Sequence, residues 1–320
     1  MYPGTWAASR PDHPAVVMAS TGAVMTYAQL DAASNRLAHV LRDQGIGRGD
    51  HIALFMENLP EFFEVAWAAL RSGVYVTAVN SFLTVDEVSY IVDDCEARLL
   101  VTSIAKADVA AGVSASTPRV ERRLMVGGTI EGYESYEDVV AAQPSTPITD
   151  ESLGDSMLYS SGTTGRPKGI IRPLPDVTPW HLSPEEQRVF GPDIPYDMDA
   201  DTIYLSPAPL YHAAPFAFCV RVHTIGGTVV VMEKFDAVAA LEFIERYRIT
   251  HSQWVPTMFS RMLKLPESDR VGHDLSSHRV AIHAAAPCPV PVKQEMMEWW
   301  GPIIHEYYAG TERIGATRIG

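Results

Sequence analysis

The chain has 320 residues, of which 47% are hydrophobic and 20% charged, a composition typical of a folded globular protein and not of a disordered one. Its formal net charge of −14, from 25 basic and 39 acidic residues, argues against binding to nucleic acid. Three cysteines without a CxxC spacing disfavour a disulfide framework or a zinc site and favour a cytoplasmic location. The pattern of a signal peptide is missing, and no run of about 18 apolar residues predicts a membrane span.

The first hundred residues alternate between strand and helix patterns. Apolar residues recur at helical spacing between Thr26, a predicted N-cap, and Gly45, and Pro60 opens a second helix that ends at Gly73. Thr84 begins a third helix and forms a predicted capping box with Glu87 three residues later. Short apolar runs that predict buried strands lie at residues 51–56, 74–79 and 98–103. This alternation predicts parallel strand pairing with right-handed crossovers.

The second half of the chain resumes this alternation after a less regular stretch. Residues 107–155 have no clear period, and the Ser-, Thr- and Pro-rich residues 141–152 predict a linker or a surface loop. Further strands are predicted at residues 156–160, 202–206, 228–232, 250–254, 279–287 and 302–308, and further helices at 235–247 and 256–265. The predicted fold class is α/β, with two stacked βαβ-type subdomains, residues 1–150 and 151–320. Each has a mostly parallel sheet flanked by helices, and a small β-rich part is added.

The decapeptide SSGTTGRPKG, residues 160–169, follows one of the predicted strands. Its glycines let the backbone approach a ligand closely, and the backbone N–H groups, hydroxyls and Lys168 are all donors, as in an anion-binding loop. A flexible polar surface loop is the alternative interpretation. The segment is not a Walker loop, because Pro167 stands where that motif has its second glycine and Gly169 stands where it needs a hydroxyl.

With its preceding tyrosine, this segment closely resembles the phosphate-binding signature of the adenylate-forming superfamily. That superfamily includes acyl-CoA synthetases, firefly luciferases and nonribosomal-peptide adenylation domains. Three further segments resemble signatures of the same family and follow the family's order: residues 209–215 (PLYHAAP), 283–287 (HAAAP) and 307–312 (YYAGTE). The resemblance begins near Thr26 and covers nearly the whole chain.

The resemblance implies a two-step reaction. A carboxylate attacks the α-phosphorus of ATP and releases pyrophosphate, and the acyl-adenylate then transfers its acyl group to a thiol, usually that of coenzyme A. Such chemistry requires positioning and charge neutralisation from the protein more than covalent help. ATP, Mg²⁺ and coenzyme A are therefore the implied cofactors and co-substrates.

The resemblance also assigns residues to the nucleotide. The β- and γ-phosphates would be bound by the loop residues Ser160, Ser161, Gly162, Thr163, Thr164, Gly165 and Lys168. The remaining nucleotide contacts would come from Ala284, Ala285 and Ala286 along the nucleotide, Tyr308 on adenine and Thr311 at the α-phosphate. Glu312 matches the family's magnesium-associated glutamate, an oxygen ligand that suits a hard cation. The alternatives are a surface carboxylate for Glu312 and an ordinary core tyrosine for Tyr308.

The acyl pocket is assigned in the same way. His212 matches the position between nucleotide and acid, where it would gate the pocket or bond the carboxylate, so that the implied catalytic set is Lys168, Thr164, His212 and Glu312. The pocket itself would involve Phe216, Trp254, Val255, Pro256, Thr257 and His283. Residues 251–259 look most like fatty-acyl and aryl-acyl CoA ligases, and they contain no aspartate to bind a substrate amine. A core histidine and a core tryptophan remain the alternatives for His212 and Trp254.

The sequence departs from the family pattern in three respects. Ala309 stands where many members have glycine, and Arg313 and Arg318 are unusual beside a nucleotide pocket. Family members also continue with a ribose-binding aspartate, a hinge and a C-terminal domain that carries a catalytic lysine, whereas this sequence has no lysine after Lys293. The sequence therefore resembles the N-terminal domain only, and we expect poor adenylation by this portion alone, because contacts made in the transition state are lost.

Three interpretations of function stay open at this point. The first is a truncated portion of an acyl-CoA synthetase that activates a hydrophobic fatty or aryl acid. The second is a non-catalytic binding or assembly remnant, either homodimeric or completed by a separate C-terminal chain. The third is an amino-acid adenylation domain.

Overall fold

The computed structural model describes residues 2–160, 166–176, 178, 196–310 and 316–319. The chain forms two compact units, and neither is a continuous half of the sequence. Unit 1 comprises Met1–Asp12, Thr26–Asp193 and Leu210–Ala213, and unit 2 comprises His13–Met25, Ile194–Pro209 and Ala214–Gly320.

The helices of the described residues are between four and seventeen residues long. In chain order they are α1 (Pro3–Ser9), α2 (Tyr27–Asp43), α3 (Glu61–Arg71), α4 (Val85–Asp94), α5 (Ala107–Val113), α6 (Tyr136–Ala141), α7 (Ala213–Ile225), α8 (Ala237–Arg246), α9 (Pro256–Leu263), α10 (Glu267–Arg270) and α11 (Val290–Trp300). None of these described helices is long and apolar enough to cross a membrane.

The strands of the described residues are short, between two and six residues each. In chain order they are β1 (Pro14–Met18), β2 (Val24–Thr26), β3 (His51–Phe55), β4 (Tyr75–Ala78), β5 (Leu99–Ser103), β6 (Arg122–Val126), β7 (Glu134–Ser135), β8 (Asp155–Ser156), β9 (Leu158–Ser160), β10 (Lys168–Ile170), β11 (Ile203–Ser206), β12 (Thr228–Val231), β13 (His251–Trp254), β14 (Val280–His283), β15 (Ile304–Ala309) and β16 (Ala316–Ile319).

Unit 1 is built on a parallel sheet with the strand order β7-β6-β5-β3-β4-β8. Every described pair in it runs parallel, for example Ile52 beside Val76 and Ile52 beside Leu99. Strands β4 and β5 are buried along their whole length, as is typical of parallel strands with both faces covered. The predicted mixed α/β class with mostly parallel sheets is confirmed.

Two of the predicted helix starts are confirmed in atomic detail. The backbone N–H of Gln29 donates to Thr26 Oγ1 at 3.3 Å and the N–H of Thr26 donates to Gln29 Oε1 at 2.8 Å, a reciprocal capping box at the start of α2. At the start of α4, the N–H of Thr84 donates to Glu87 Oε2 at 2.9 Å. Gly45 follows α2 with a φ of 63°, a conformation that glycine adopts without strain.

The region after residue 107 is more regular than predicted. Strand β6 pairs in parallel with β5, with Leu99 opposite Arg122, and α5 precedes it. The sequence RRLMV hides this strand because two charged residues open it. Both are paired in the structure: Arg122 donates to Glu134 at 2.8 Å, and Arg123 donates to the carbonyl of Thr117 at 2.8 Å.

The single strand predicted at residues 156–160 is two strands that join different sheets. Strand β8 pairs with β4, with Tyr75 opposite Asp155, whereas β9 pairs with β10 in a separate antiparallel hairpin. Residues just after position 150 therefore lie in unit 1, because β8 extends the sheet of that unit.

Unit 2 is built on an eight-stranded sheet with the order β16-β15-β14-β13-β11-β12-β1-β2. Strands β1 and β11 to β15 pair in parallel, and β16 is antiparallel to β15. Strand β1 is absent from the predicted strands. It reaches the sheet from the start of the chain and places Val16 beside Val229 of β12. The core under this sheet is aromatic and contains Trp254, Phe259 and Trp300.

A buried arginine ties several segments of unit 1 together. Arg71, at the end of α3, is 1% exposed. Its guanidinium donates to Asp31 Oδ1 at 2.8 Å, Ser34 Oγ at 2.8 Å, Tyr2 Oη at 2.7 Å and Glu151 Oε1 at 3.0 Å. Burial raises the pKa of Glu151 to about 7, and the charge of Arg71 opposes that rise. Glu151 belongs to the predicted linker, so that Arg71 of α3 connects this linker with Asp31 of α2.

Arg71→Met is expected to lower the free energy of unfolding by about 3–5 kcal/mol, because it leaves two carboxylates without the cation that they face in the interior. Chemical denaturation measures this. Arg122→Met removes a more exposed pair with Glu134 and is expected to cost at most about 1 kcal/mol. Equal losses of unfolding free energy in the two variants would show that the buried Arg71 network stabilises the protein no more than a surface ion pair does.

Gly154 directly precedes β8, at a position where there is no room for a side chain. A Cβ at this position would lie 2.4 Å from the carbonyl oxygen of Val74 and 2.7 Å from that of Ala69. Both atoms belong to the backbone and cannot rotate away. Gly154→Ala is therefore expected to lower the free energy of unfolding by about 1–3 kcal/mol in the same assay.

Gly47→Ala is the matched control for this substitution, because a Cβ at Gly47 has nothing within 4 Å. It is expected to change stability by no more than about 0.5 kcal/mol. A Gly154→Ala protein as stable as the Gly47→Ala protein would contradict the close packing of Gly154 on the backbone of Ala69 and Val74.

Candidate functional site

The hairpin β9–β10 brings the two ends of the predicted phosphate loop together. Ser160 lies opposite Lys168, Tyr159 opposite Gly169, and Leu158 opposite Ile170. The Lys168 side chain is exposed to solvent. Of the predicted phosphate-binding residues, Ser161, Gly162, Thr163, Thr164 and Gly165 lie outside the described residues, and their roles stay predictions.

The hairpin is packed tightly at its glycine. A Cβ on Gly169 would lie 2.2 Å from Met157 Cε and 3.1 Å from the ring of Tyr159. A larger residue here would have to displace the end of the Met157 side chain and press on the ring of Tyr159. The position next to Lys168 is therefore fixed by packing as well as by strand pairing.

The chain that follows β10 is held by side chains of the same unit. Arg172 forms an ion pair with Asp155, and the hydroxyl of Tyr75 donates to the carbonyl of Arg172. Arg48 donates to the carbonyl of Leu174 at 3.0 Å. These contacts attach the exit of the hairpin to the edge of the parallel sheet in unit 1.

His212 lies in Leu210–Ala213, the short segment of unit 1 that separates Ile194–Pro209 from Ala214–Gly320 of unit 2. The N–H of Leu210 donates to Asn58 Oδ1 at 2.9 Å, which fixes the backbone before it. The imidazole lies 4.4 Å from the ring of Tyr211, centroid to centroid. Desolvation by neighbouring groups lowers the pKa of His212, although its side chain keeps an exposed face. The ring is therefore neutral near pH 7 and can donate or accept one hydrogen bond.

In unit 2, three polar or aromatic residues are lateral neighbours in adjacent parallel strands. Trp254 ends β13 and pairs with His283, which ends β14, and His283 pairs in turn with Glu306 of β15. In an open parallel sheet, ligands bind beyond the carboxyl ends of the strands. Two residues of the predicted acyl pocket, Trp254 and His283, therefore share one end of the sheet.

The remaining predicted pocket residues differ in their exposure. Phe216 in α7 and Pro256 at the start of α9 are buried, Val255 is half-buried and Thr257 is exposed. Trp254 is 1% exposed, and its indole N–H donates to Ser252 Oγ at 2.6 Å. Its ring packs on Phe259 and Trp300, with centroids 6.2 and 5.5 Å away, so that Trp254 belongs to the core of unit 2. The assignment of these residues to an acyl pocket stays a prediction.

His283 lies next to the ion pair of Lys293 with Glu306, which the sequence patterns did not indicate. Its side chain is fully buried, and neither ring nitrogen has a hydrogen-bond partner among the described residues. Lys293 Nζ donates to Glu306 Oε2 at 2.7 Å, and the same oxygen lies 3.7 Å from His283 Nε2. Burial lowers the pKa of His283, the carboxylate of Glu306 opposes that shift and Lys293 adds to it.

No local signal connects Lys293 with Glu306. Lys293 lies on α11, a helix that is absent from the predicted elements, and Glu306 lies in a strand recognised only by its apolar residues. The pair forms because α11 packs beside β15.

The alanine-rich segment after β14 turns sharply. Ala284 is buried, whereas Ala285 and Ala286 are exposed. Ala285 has a φ of 74°, in the left-handed region that side chains disfavour by about 1–2 kcal/mol. Non-glycine residues in this region are concentrated at functional sites. Ala285, whose backbone is strained and exposed, is one of the residues that the resemblance assigns to the nucleotide.

The last signature is only partly described. Tyr308 is 79% exposed on β15, so that its ring has a free face for stacking. Thr311 and Glu312 lie outside the described residues. Within the described ranges, no group of three or more His, Cys, Asp or Glu side chains is gathered as metal ligands would be. The magnesium role of Glu312 stays a prediction.

Unit 2 also contains a cavity of about 390 Å³ elsewhere on its surface. Glu267, Arg270, Glu295 and Glu298 are among its lining residues. None of the predicted nucleotide or acid residues lines it. Three glutamates and one arginine among its lining residues give it a net negative charge, which does not suit a phosphate or a carboxylate.

The chain matches the family model described as AMP-binding enzyme over residues 4–319. It is 30% identical to 4-coumarate--CoA ligase 3 of Oryza sativa subsp. japonica over 277 residues, which cover 86% of this chain and 49% of that protein. It is 28% identical to acyl-CoA ligase SID4 of Ajellomyces capsulatus over 306 residues, 89% of this chain and 50% of that protein. The chain thus spans about half the length of these curated relatives.

Solved structures agree with this match. The inhibitor-bound N-terminal domain of FACL13 from Mycobacterium tuberculosis is 26% identical, with a TM-score of 0.79 over 97% of this chain and 75% of that one. Anthranilate CoA ligase AuaEII in complex with anthranoyl-AMP has a TM-score of 0.80 at 21% identity, over 97% and 58% of the two chains, and shows the shared fold alone. Because the family model matches nearly its whole length, the chain belongs to the AMP-binding enzyme family.

Proposed function

We propose that this protein activates a hydrophobic carboxylic acid, fatty or aryl, with ATP to form an acyl-adenylate, and that the whole protein transfers the acyl group to coenzyme A. One observation supports this proposal most directly. The pairing of Ser160 with Lys168 puts both ends of the family's phosphate signature side by side, with the ammonium group of Lys168 exposed. The relatives, which are CoA ligases, support the same reaction.

In this proposal Lys168 neutralises charge on the β- and γ-phosphates, and the loop hydroxyls of Thr163 and Thr164 donate hydrogen bonds to them. Phosphoryl chemistry requires this kind of fixed positive charge and positioning. Tyr308 stacks on adenine with its exposed ring face. Magnesium, held with Glu312, would supply further neutralisation, an assignment that rests only on the signature that Glu312 matches.

The acid is proposed to be apolar because the assigned pocket carries little free charge. Phe216 and Trp254 are apolar and buried. The lowered pKa of His212 and of His283 keeps both imidazoles neutral near pH 7, and a neutral His212 can donate a hydrogen bond to the substrate carboxylate. Glu306, a carboxylate close to His283, is already paired with Lys293 and is not free to bind a substrate amine. Amino-acid adenylation is therefore the weaker proposal.

Lys168→Ala is expected to weaken ATP binding by roughly 10- to 100-fold, because it removes a charge-assisted contact to the phosphates. AMP, which lacks the β- and γ-phosphates, should bind both proteins equally. Calorimetric titration with each nucleotide and magnesium measures both affinities. Lys106→Ala is the control, since Lys106 packs over the ring of Phe82 in the same unit and takes no part in the proposed site.

Equal ATP affinity in the Lys168→Ala and parent proteins would overturn the proposed phosphate contact. The acid class is tested by titrating sulfamate analogues of fatty-acyl, aryl-acyl and aminoacyl adenylates into the same chain. Preference for the aminoacyl analogue would replace the proposed acid by an amino acid. A folded parent that binds none of the nucleotides and analogues would favour the non-catalytic remnant.

A further inference from the structure

Helix α4 presents two polar side chains to the hairpin that bears Lys168. Tyr90 and Asp94 are four residues apart and so lie on the same face of the helix. The hydroxyl of Tyr90 donates to the carbonyl oxygen of Pro167 at 3.0 Å. Asp94 Oδ2 accepts a hydrogen bond of 2.5 Å from the hydroxyl of Tyr159. One helix face therefore contacts strand β9 and the residue directly before strand β10.

The two contacts are placed symmetrically about the pair Ser160–Lys168. Tyr159 directly precedes Ser160, and Pro167 directly precedes Lys168. The carbonyl of Pro167 and the N–H of Lys168 belong to one planar peptide unit. A hydrogen bond that fixes the carbonyl of Pro167 therefore also fixes the orientation of the backbone from which Lys168 projects.

A third contact comes from the aromatic ring of Tyr90. The guanidinium carbon of Arg166 lies 4.9 Å from the centroid of this ring, within the range of a cation–π interaction. Tyr90 thus contacts two consecutive residues, Arg166 with its ring and Pro167 with its hydroxyl. These are the last described residues before Lys168.

The helix can serve as a rigid support because its opposite face is buried. Val88, Ile91 and Val92 of α4 belong to the core of unit 1, and Tyr90 and Tyr159 pack against that core. Burial and the hydrogen bond to Asp94 raise the pKa of Tyr159, so that its hydroxyl stays protonated and remains a donor at physiological pH. Side chains that orient a site are effective when packing fixes their own rotamers.

We propose that Tyr90 and Asp94 are positioning residues of the phosphate site, which set the place and direction of Lys168 for the β- and γ-phosphates of ATP. The inference rests on the proposed function, since it concerns the same nucleotide. It assigns a role to α4, which contains none of the family signatures described above.

The test uses the 320-residue chain and four informative variants. Tyr90→Phe removes the hydroxyl and keeps the ring under Arg166, whereas Tyr90→Leu removes both. Asp94→Ala removes the acceptor for Tyr159, and Asp94→Asn keeps an oxygen that can accept the same bond. Two measurements are made on each: calorimetric affinity for ATP and for AMP with magnesium, and hydrogen–deuterium exchange of peptides that cover residues 158–170.

Two matched controls remove the same groups elsewhere. Tyr247→Phe deletes a hydroxyl that donates to the carbonyl of Ala19 at 2.8 Å in unit 2. Asp93→Ala removes a carboxylate next to Asp94 that is paired with Arg119. Both controls should leave nucleotide affinity and exchange of the hairpin at the parent values.

Tyr90→Phe is expected to weaken ATP binding roughly two- to tenfold, and Tyr90→Leu and Asp94→Ala by roughly tenfold or more. Asp94→Asn should lie close to the parent. AMP affinity should stay unchanged in all of them, whereas a loss of general stability would weaken AMP and ATP binding alike. Exchange of the hairpin should become faster in the order in which ATP affinity falls.

Parent-like ATP affinity in Tyr90→Leu and Asp94→Ala would overturn the positioning role, as would equal losses for AMP and ATP. Unchanged hairpin exchange in these two variants would overturn the anchoring itself. A parent that binds neither nucleotide would instead refute the proposed nucleotide site and with it the positioning role. Faster exchange in the variants would then still show that α4 anchors the hairpin, so that the two failures can be told apart.

Discussion

Parallel strand pairing is the constraint on which unit 2 depends. Parallel neighbours must all end at the same edge of the sheet, so that residues far apart in the sequence meet there. Trp254 and His283 become neighbours in this way, and Glu306 lies beside them in the next strand. The fold then adds Lys293 from α11, which neutralises the carboxylate of Glu306. Trp254, His283 and the ion pair of Glu306 with Lys293 thus lie together at one end of the sheet.

In unit 1 a short antiparallel hairpin lies outside the parallel sheet and depends on its surroundings for stability. Two antiparallel strands of three residues are too small to be stable alone. Their stability must come from side chains around them. Tyr90 and Asp94 hold the two strands from α4, and Met157 packs closely on Gly169. The position of Lys168 is therefore a property of the whole unit and not of its own ten-residue motif.

Local signals predicted much of the fold. The capping boxes at Thr26 and Thr84 and the apolar runs of β3 to β5 depend on residues close in sequence, so that a pattern reveals them. Strand β6 escaped prediction because its first two residues are arginines, whose partners come from elsewhere in the chain. Of the site, the phosphate signature was visible through a family resemblance. The pairs Tyr90–Pro167 and Lys293–Glu306 were not, because only tertiary packing brings those groups together.

The distribution of charge indicates which part of the proposed site suits phosphate and which part suits an apolar acid. A chain with a net charge of −14 repels polyphosphate at long range, so that attraction has to come from fixed local groups. Lys168 supplies an exposed cation in unit 1, and the backbone directly before it is held by a neutral contact between the hydroxyl of Tyr90 and the carbonyl of Pro167. In unit 2 the charge of Lys293 is neutralised by Glu306, and burial keeps His283 itself neutral near pH 7. Positive charge is therefore kept where phosphate is proposed to bind and removed where an apolar acid is proposed to bind.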